Sequence, residues 1–337
     1  MLTFSIVGSV AFASCLFLTR WLIKNADWIG MIDNPVARSS HDHPIPKGGG
    51  LAFFFVFTMI LLFMYIFTPR YNDLTSPLLF GGPLVFLVGW MDDRFSLPPL
   101  PRLLIQFVVA IIILALVTKG FQLEVSISFL PANYWVVMAF CLLFIAWFIN
   151  LYNFMDGANG LAASGTVIGA LLLAAISYYH GAPAYALIYC LLAYTVSGFL
   201  YYNWGSATVF MGDTGAYFLG FLFAALALQC KIQANISFYS HIIIFGFFIM
   251  DPTFTLIMRA VRRQNIFAGH QQFAFHKLIA RGWPHSKVAT FYGLVMILWL
   301  FPLANLASIY DGWGMLIVCL AYAPLLAFEF AMGAGRD

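Results

Sequence analysis

The sequence predicts an all-α, polytopic integral membrane protein that crosses the bilayer about eleven times. Three observations carry this. Of 337 residues, 63% are hydrophobic and only 9% charged, so thirteen acids and sixteen bases cannot supply the polar shell that a soluble domain of this size needs. The apolar residues come in continuous runs, not in the alternation of barrel strands, and about 20 of them suffice to cross hydrocarbon as a helix. The basic residues gather in every second connection.

The runs fall at 2–22, 49–68, 77–91, 103–118, 134–151, 160–179, 183–202, 214–230, 239–258, 288–308 and 312–331. The first lacks a basic start and a small-residue cleavage site, so it reads as a retained span and not a signal peptide. Counting helix ends, odd-numbered loops hold twelve of the sixteen Lys and Arg residues, and even-numbered loops hold three: Arg70, Lys119 and Lys231. Positive charge stays in the cytoplasm, which puts the odd loops and the C-terminus inside and the N-terminus outside. Residues 1–337 read as a single integral membrane domain. A net charge of +3 without a basic run gives no footprint for nucleic acid. The five cysteines lie at irregular spacing within apolar runs, which argues against a disulfide framework or a zinc site.

Most of the polar chemistry maps to the odd loops. Asp92-Asp93, within Gly89-Trp-Met-Asp-Asp-Arg94, ends the third span. Adjacent carboxylates there suit Mg²⁺, which takes one or two carboxylates together with substrate phosphates; the alternative is a solvated helix end paired with Arg94 or Arg102. In Asn150-Leu-Tyr-Asn153-Phe-Met-Asp156-Gly157-Ala-Asn159-Gly160 the polar residues recur every third position, giving one polar stripe on a helix; a polar seam between helices is the other reading. Asp213, between Gly212 and Gly215, opens a long apolar helix. It reads either as a cap or as a cation ligand beside phosphate.

The ninth loop is the longest and most basic. Arg259, Arg262 and Arg263 are spaced for one helical face, and His270, His276, Lys277 and His285 follow. Such a loop suits a diphosphate or anionic headgroups, although neutral histidines fit headgroups poorly. Lys47 precedes Gly48-Gly49-Gly50, a hinge or a backbone nest for an anion. A secondary transporter is the rival class. Its mark would be an intramembrane acid, and only Asp251, before Pro252, qualifies.

In this order the motifs resemble the polyprenyl-phosphate sugar-1-phosphate transferase family (glycosyltransferase family 4). The similarity rests on Pro46-Lys-Gly-Gly-Gly50, Asp92-Asp93, Asn150 to Leu161, Asn203 to Gly215, and Gly282-Trp283 with Lys287-Val288, and it spans about residues 34–290. The resemblance implies Mg²⁺-dependent (or Mn²⁺-dependent) transfer of a sugar-1-phosphate, such as an N-acetylated hexosamine, from a UDP-sugar to undecaprenyl phosphate. Release of UMP would accompany it, at the cytoplasmic side of a bacterial inner membrane, and a homodimer is compatible with it.

It also implies residue roles. Asp213 with Asp92 and Asp93 would form the metal and catalytic set, while Asn150, Asn153, Asp156, Asn203 and Phe210 would line the nucleotide pocket. Lys47, Arg262, Arg263, His270 and His276 would hold phosphate. Asn159 stands where the family has a second aspartate, and the histidine run of the muramoyl-pentapeptide branch is reduced to His276. With the Arg38-Ser-Ser-His41 stretch and the spaced His270, the pattern is closer to the O-antigen and surface-polysaccharide initiators. The phospho-N-acetylmuramoyl-pentapeptide transferases are the alternative within the family.

Overall fold

A computed structural model describes residues 2–33, 35, 43–120, 130 and 133–336; Arg38 and His41 fall outside them. Helix α1 (Leu2–Lys24) is followed by a single turn, α2 (Ala26–Ile29), and by an antiparallel pair, β1 (Ile32–Asp33) with β2 (Ile45–Pro46). Then come α3 (Gly50–Phe67), α4 (Asn72–Phe95), α5 (Pro99–Val117), α6 (Tyr134–Phe154), α7 (Leu161–Tyr179), α8 (Pro183–Asn203) and α9 (Gly212–Ala234). The last third comprises α10 (Phe238–Ile244), α11 (Gly246–Val261), α12 (Ala274–Ala280), α13 (His285–Val295), α14 (Phe301–Ile309) and α15 (Gly314–Met332).

The all-α expectation holds, and each of the eleven apolar runs corresponds to a helix or helix pair in the structure. Among the described residues ten helical segments are long and apolar enough to span, and α10 with α11 makes the eleventh. Helix α9 is the hub: every residue from Thr214 to Cys230 is buried, against α3, α4, α5 and α6. A helix apolar on all sides has nowhere to go but the centre of the bundle. Helices α1, α3, α5 and α15 instead turn large side chains outward, among them Phe17, Phe63, Leu104 and Leu316. Lipid tails solvate such faces as well as protein does.

Three boundaries differ from expectation, each for a local reason. Helix α4 runs on to Phe95, past the apolar run that ends at 91, so Asp92 and Asp93 lie in its last turn. Their bonds, described below, hold them in place. The ninth span bends by 70° between α10 and α11. The hinge residue Phe245 is itself apolar, and its ring packs 4.3 Å from that of Phe223; hydropathy cannot register such a break. Helix α11 ends at Val261, with Arg263 at φ 57°. The three arginines therefore do not share a helical face.

The odd loops meet at one end of the bundle. Lys47 reaches Asp93, Gly160 N–H donates to Asn203, and Asn159 N–H donates to His285. At the other end Lys119 pairs with Asp73 and Lys231 with Asp311.

Candidate active site

Asp93 is the keystone. Helix α9 has no side-chain cap of its own. Its first turn is capped from α4 instead: Asp93 accepts from Asp213 N–H and Thr214 N–H, each at 2.9 Å, and from the Thr214 hydroxyl at 2.5 Å. A carboxylate on free amides at a helix N-terminus also complements the helix dipole. Lys47 adds an ion pair at 2.8 Å to this fully buried carboxylate. Two glycines admit the approach. A Cβ on Gly89 would lie 2.6 Å from the Asp213 carbonyl oxygen. Gly212 sits at φ 76°, which suits glycine, and a Cβ there would lie 2.7 Å from Asp93 Oδ2.

Asp92, one residue earlier, points elsewhere. It accepts from Leu97 N–H, from Arg102 at 3.0 Å and from the Tyr217 hydroxyl at 2.7 Å. The Arg102 guanidinium lies 5.9 Å from the Tyr217 ring centroid, so α4, α5 and α9 are joined at one buried point. Asp92 and Asp93, expected in a metal set with Asp213, are thus engaged by protein donors. Among the described residues no group of three or more His, Cys, Asp or Glu side chains is placed to hold a metal ion.

Asp213 differs. Among the described residues its carboxylate has no hydrogen-bond partner, although it lies within electrostatic reach of Asp93, Lys47, Asp92 and Arg102. Asp156, in the 3₁₀ turn Met155–Gly157 that follows α6, faces Asp213, Asp93 and Lys47, also with no hydrogen bond among the described residues. Four acids distant in sequence therefore meet at one end of the bundle. Asp92 is neutralised by Arg102. Counted as fully ionised, the remaining three carboxylates outnumber the one ammonium by two, an arrangement that a buried site holds only with a further cation bound. That excess, with unspent oxygens on Asp213 and Asp156, fits a hard divalent cation completed by substrate phosphate. Burial works against the Lys47 ammonium, but Asp93 and Asp213 outweigh it and hold its pKa above the ordinary value.

Two amides expected to touch ligand are struts. Asn150 is buried and donates to Gln106 at 2.6 Å and to the Ala146 carbonyl. Asn203, also buried, accepts from Gly160 N–H and donates to the Val209 carbonyl, tying loop five to loop seven. Asn153, half-buried and three residues before Asp156, remains available to a ligand. Phe210 is pinned by its backbone: its N–H donates to the Pro46 carbonyl and its carbonyl accepts from Gly49 N–H. Gly50 N–H is likewise spent, on the Met211 carbonyl. The glycine triplet is thus a splice to loop seven and not an anion nest.

In the ninth loop Arg259 is buried, donating to the Gln272 side chain and the Asn265 carbonyl. Arg262 and Arg263 are exposed, and no described bond ties them to the carboxylates. His276 stands against the Asp156 turn: its Nε2 is 3.2 Å from where a Cβ on Gly157 would be. Burial first, then His270, His285 and Lys277, push its pKa down to about 3. Burial and Arg259 push His270 to about 4. Both rings are neutral at pH 7, so what they can offer an anion is a hydrogen bond and not charge. Asp251 is no transport carboxylate either. It accepts from Ala274 N–H, Phe275 N–H and the Tyr292 hydroxyl, capping α12.

Sequence reasoning missed Tyr217, and it named His285 in the ninth loop without its partner. Tyr217 follows Asp213 by four residues, the spacing that stacks side chains on one helical face. His285 Nδ1 accepts from Asn159 N–H at 2.9 Å, a pairing across more than a hundred residues that left no local signal.

The glycosyl transferase family 4 profile matches residues 75–231, the stretch from α4 to α9. A probable undecaprenyl-phosphate N-acetylglucosaminyl 1-phosphate transferase of Bacillus subtilis is 32% identical over 82% of this chain and 77% of its own length. The chain belongs to this sugar-1-phosphate transferase family. Within glycosyl transferase family 4, an undecaprenyl-phosphate alpha-N-acetylglucosaminyl 1-phosphate transferase of Thermotoga maritima is 27% identical over 77% of each chain. A phospho-N-acetylmuramoyl-pentapeptide-transferase of Staphylococcus epidermidis is 26% identical over 74% of this chain and 81% of its own. Like them, the protein is a membrane-embedded phosphotransferase.

Proposed function

We propose that this transferase moves an N-acetylhexosamine-1-phosphate from a UDP-sugar to undecaprenyl phosphate, releasing UMP, at the cytoplasmic face of the bacterial inner membrane. This would be the first step of a cell-surface polysaccharide such as O-antigen. One observation carries the reading: Asp93, Asp156, Asp213 and Lys47 meet where an apolar bundle ends, so a soluble diphosphate and a lipid-anchored phosphate can share one charged floor. The twelve-to-three bias of basic residues supports the cytoplasmic side.

The lipid phosphate is mostly dianionic at neutral pH, its second pKa being about 6. Its oxygen attacks the β-phosphorus, the bond to the UMP oxygen breaks, and UMP carries the electron pair away. Such a transfer needs positioning and charge neutralisation more than covalent help. Mg²⁺, held by Asp213 with Asp156, would neutralise the diphosphate and orient it. Lys47, fixed by Asp93, adds positive charge to the same floor. Phe210 and Asn153 hold the nucleotide, and the neutral rings of His276 and His270 hydrogen-bond the phosphates or sugar.

The test incubates membranes with undecaprenyl phosphate, Mg²⁺ and a panel of UDP-aminosugars, including UDP-N-acetylmuramoyl-pentapeptide, while UMP release is followed. Lipid-linked product from a UDP-N-acetylhexosamine is expected. Product from the pentapeptide alone would move the enzyme to the muramoyl branch. Full activity in EDTA would refute the metal.

A further inference from the structure

Away from the carboxylate floor lies a second pair of buried acids that the transfer chemistry does not use. Glu329, on α15, is wholly buried, and neither of its oxygens takes a hydrogen bond from any donor among the described residues. Helix α15 packs on α11 on both sides of this point, the rings of Phe247 and Phe328 lying 5.8 Å apart and those of Phe254 and Phe330 4.8 Å apart, and between them Glu329 meets the Asp251 carboxyl. Two carboxylates are both acceptors, and they bond only when one carries a proton. Two adjacent charges in a water-free interior would also repel strongly. The donors on Asp251 are the Tyr292 hydroxyl from α13 and the Ala274 and Phe275 amides from α12. No Lys, Arg or His among the described residues forms an ion pair with either acid.

We propose that Asp251 and Glu329 share one proton, and that this shared proton moors α12 so that His276 stays against the Asp156–Gly157 turn. Asp251 binds the start of α12 directly, and α12 carries His276. A second set of contacts moors the same arm to the same helix end. Gly335 N–H donates to the Gln272 carbonyl at 2.9 Å, and Lys277 donates to the Arg336 carbonyl at 2.6 Å. Glu329 is therefore a positioning residue for the transferase. When base removes the proton to solvent, the pair becomes a dianion, α15 and α11 repel, and the arm loosens.

The test compares the full-length wild type with Glu329→Gln, Glu329→Ala and Asp251→Asn in lipid nanodiscs. Hydrogen exchange of residues 264–284 is followed from about pH 7 to about pH 10, corrected for intrinsic rates. In the wild type, protection falls about tenfold toward the alkaline end. Glu329→Gln, a permanently protonated mimic, stays protected throughout and keeps kcat within about twofold at neutral pH. Glu329→Ala and Asp251→Asn are loose at every pH, with kcat lowered more than KM. The proposal is overturned if Glu329→Gln loses protection with pH as the wild type does, or if the wild type shows no such loss. The activity arm rests on the proposed reaction; the exchange arm does not. Lost protection without any turnover in the wild type would thus indict the substrate assignment and not the mooring.

Discussion

The two ends of this bundle each hold a lysine–aspartate pair of nearly the same length. Lys47 and Asp93 lie 2.8 Å apart, and Lys119 and Asp73 lie 2.9 Å apart. In the second pair the side chains are 56% and 69% exposed, whereas Asp93 is at 0%. Water screens the outer pair, and its worth is about 0–1 kcal/mol. The inner pair cannot be judged alone, because Asp93 also caps α9 and a charge left unpaired there is costly. An ion pair becomes part of a site when its carboxylate has a second obligation.

That contrast can be broken from its strong end first. Asp213 carries no structural bond, so Asp213→Ala should fold normally while kcat falls by about 10³-fold, as read by UMP release beside a melting curve. A parallel fall in melting temperature would show that Asp213 is structural after all. Asp93→Ala should do both. It removes the cap and strands Lys47, costing about 2–4 kcal/mol of stability together with most of the activity. Equal stability to wild type would remove Asp93 from its keystone place. Tyr217→Phe deletes one donor to Asp92 while leaving Arg102 in place, and should cost about 1–2 kcal/mol in denaturant titration with turnover largely kept.

The histidines sharpen the comparison through pH. Unfolded, His270 and His276 take up protons near the ordinary value of about 6.5; in place they resist until about 4 and about 3. Between these limits the detached loop binds more protons than the docked one. Docking therefore weakens as pH falls from about 7 to about 5, and exchange of residues 264–284 should rise. The double variant His270→Gln, His276→Gln should flatten that acid-side rise. The smallest effect belongs to the exposed pair. Lys119→Met should change stability by less than about 1 kcal/mol and activity not at all, and a clear loss of turnover would abolish the contrast.

What was legible in the sequence follows the same division. Hydropathy reads the medium a segment occupies, so all eleven spans were visible. It is blind to Phe245, where the chain turns while staying apolar. Spacing brought Asp92, Asp93, Asp156 and Asp213 to one end of the bundle, because helices long enough to cross must deliver their loops to alternate faces. Spacing could not show that Asp93 would be spent on Asp213 N–H, or that Asn150 and Asn203 would brace backbone and neighbouring helices. Those outcomes depend on partners 40 to 120 residues away.

The bent ninth span bears on how the chain reaches its final form during synthesis. At about 1.5 Å per residue, the seven residues of α10 reach roughly 10 Å and the sixteen of α11 roughly 24 Å, so neither bridges a hydrocarbon layer of about 30 Å by itself. Part of their footing comes from helices made earlier, as where Phe223 of α9 meets Phe245, and part is supplied later: Ser240 donates to the Ala304 carbonyl of α14, and the Tyr322 hydroxyl of α15 donates to the Ile242 carbonyl. A nascent chain halted before α15 would carry every motif quoted for the family and still lack the scaffold that orients them.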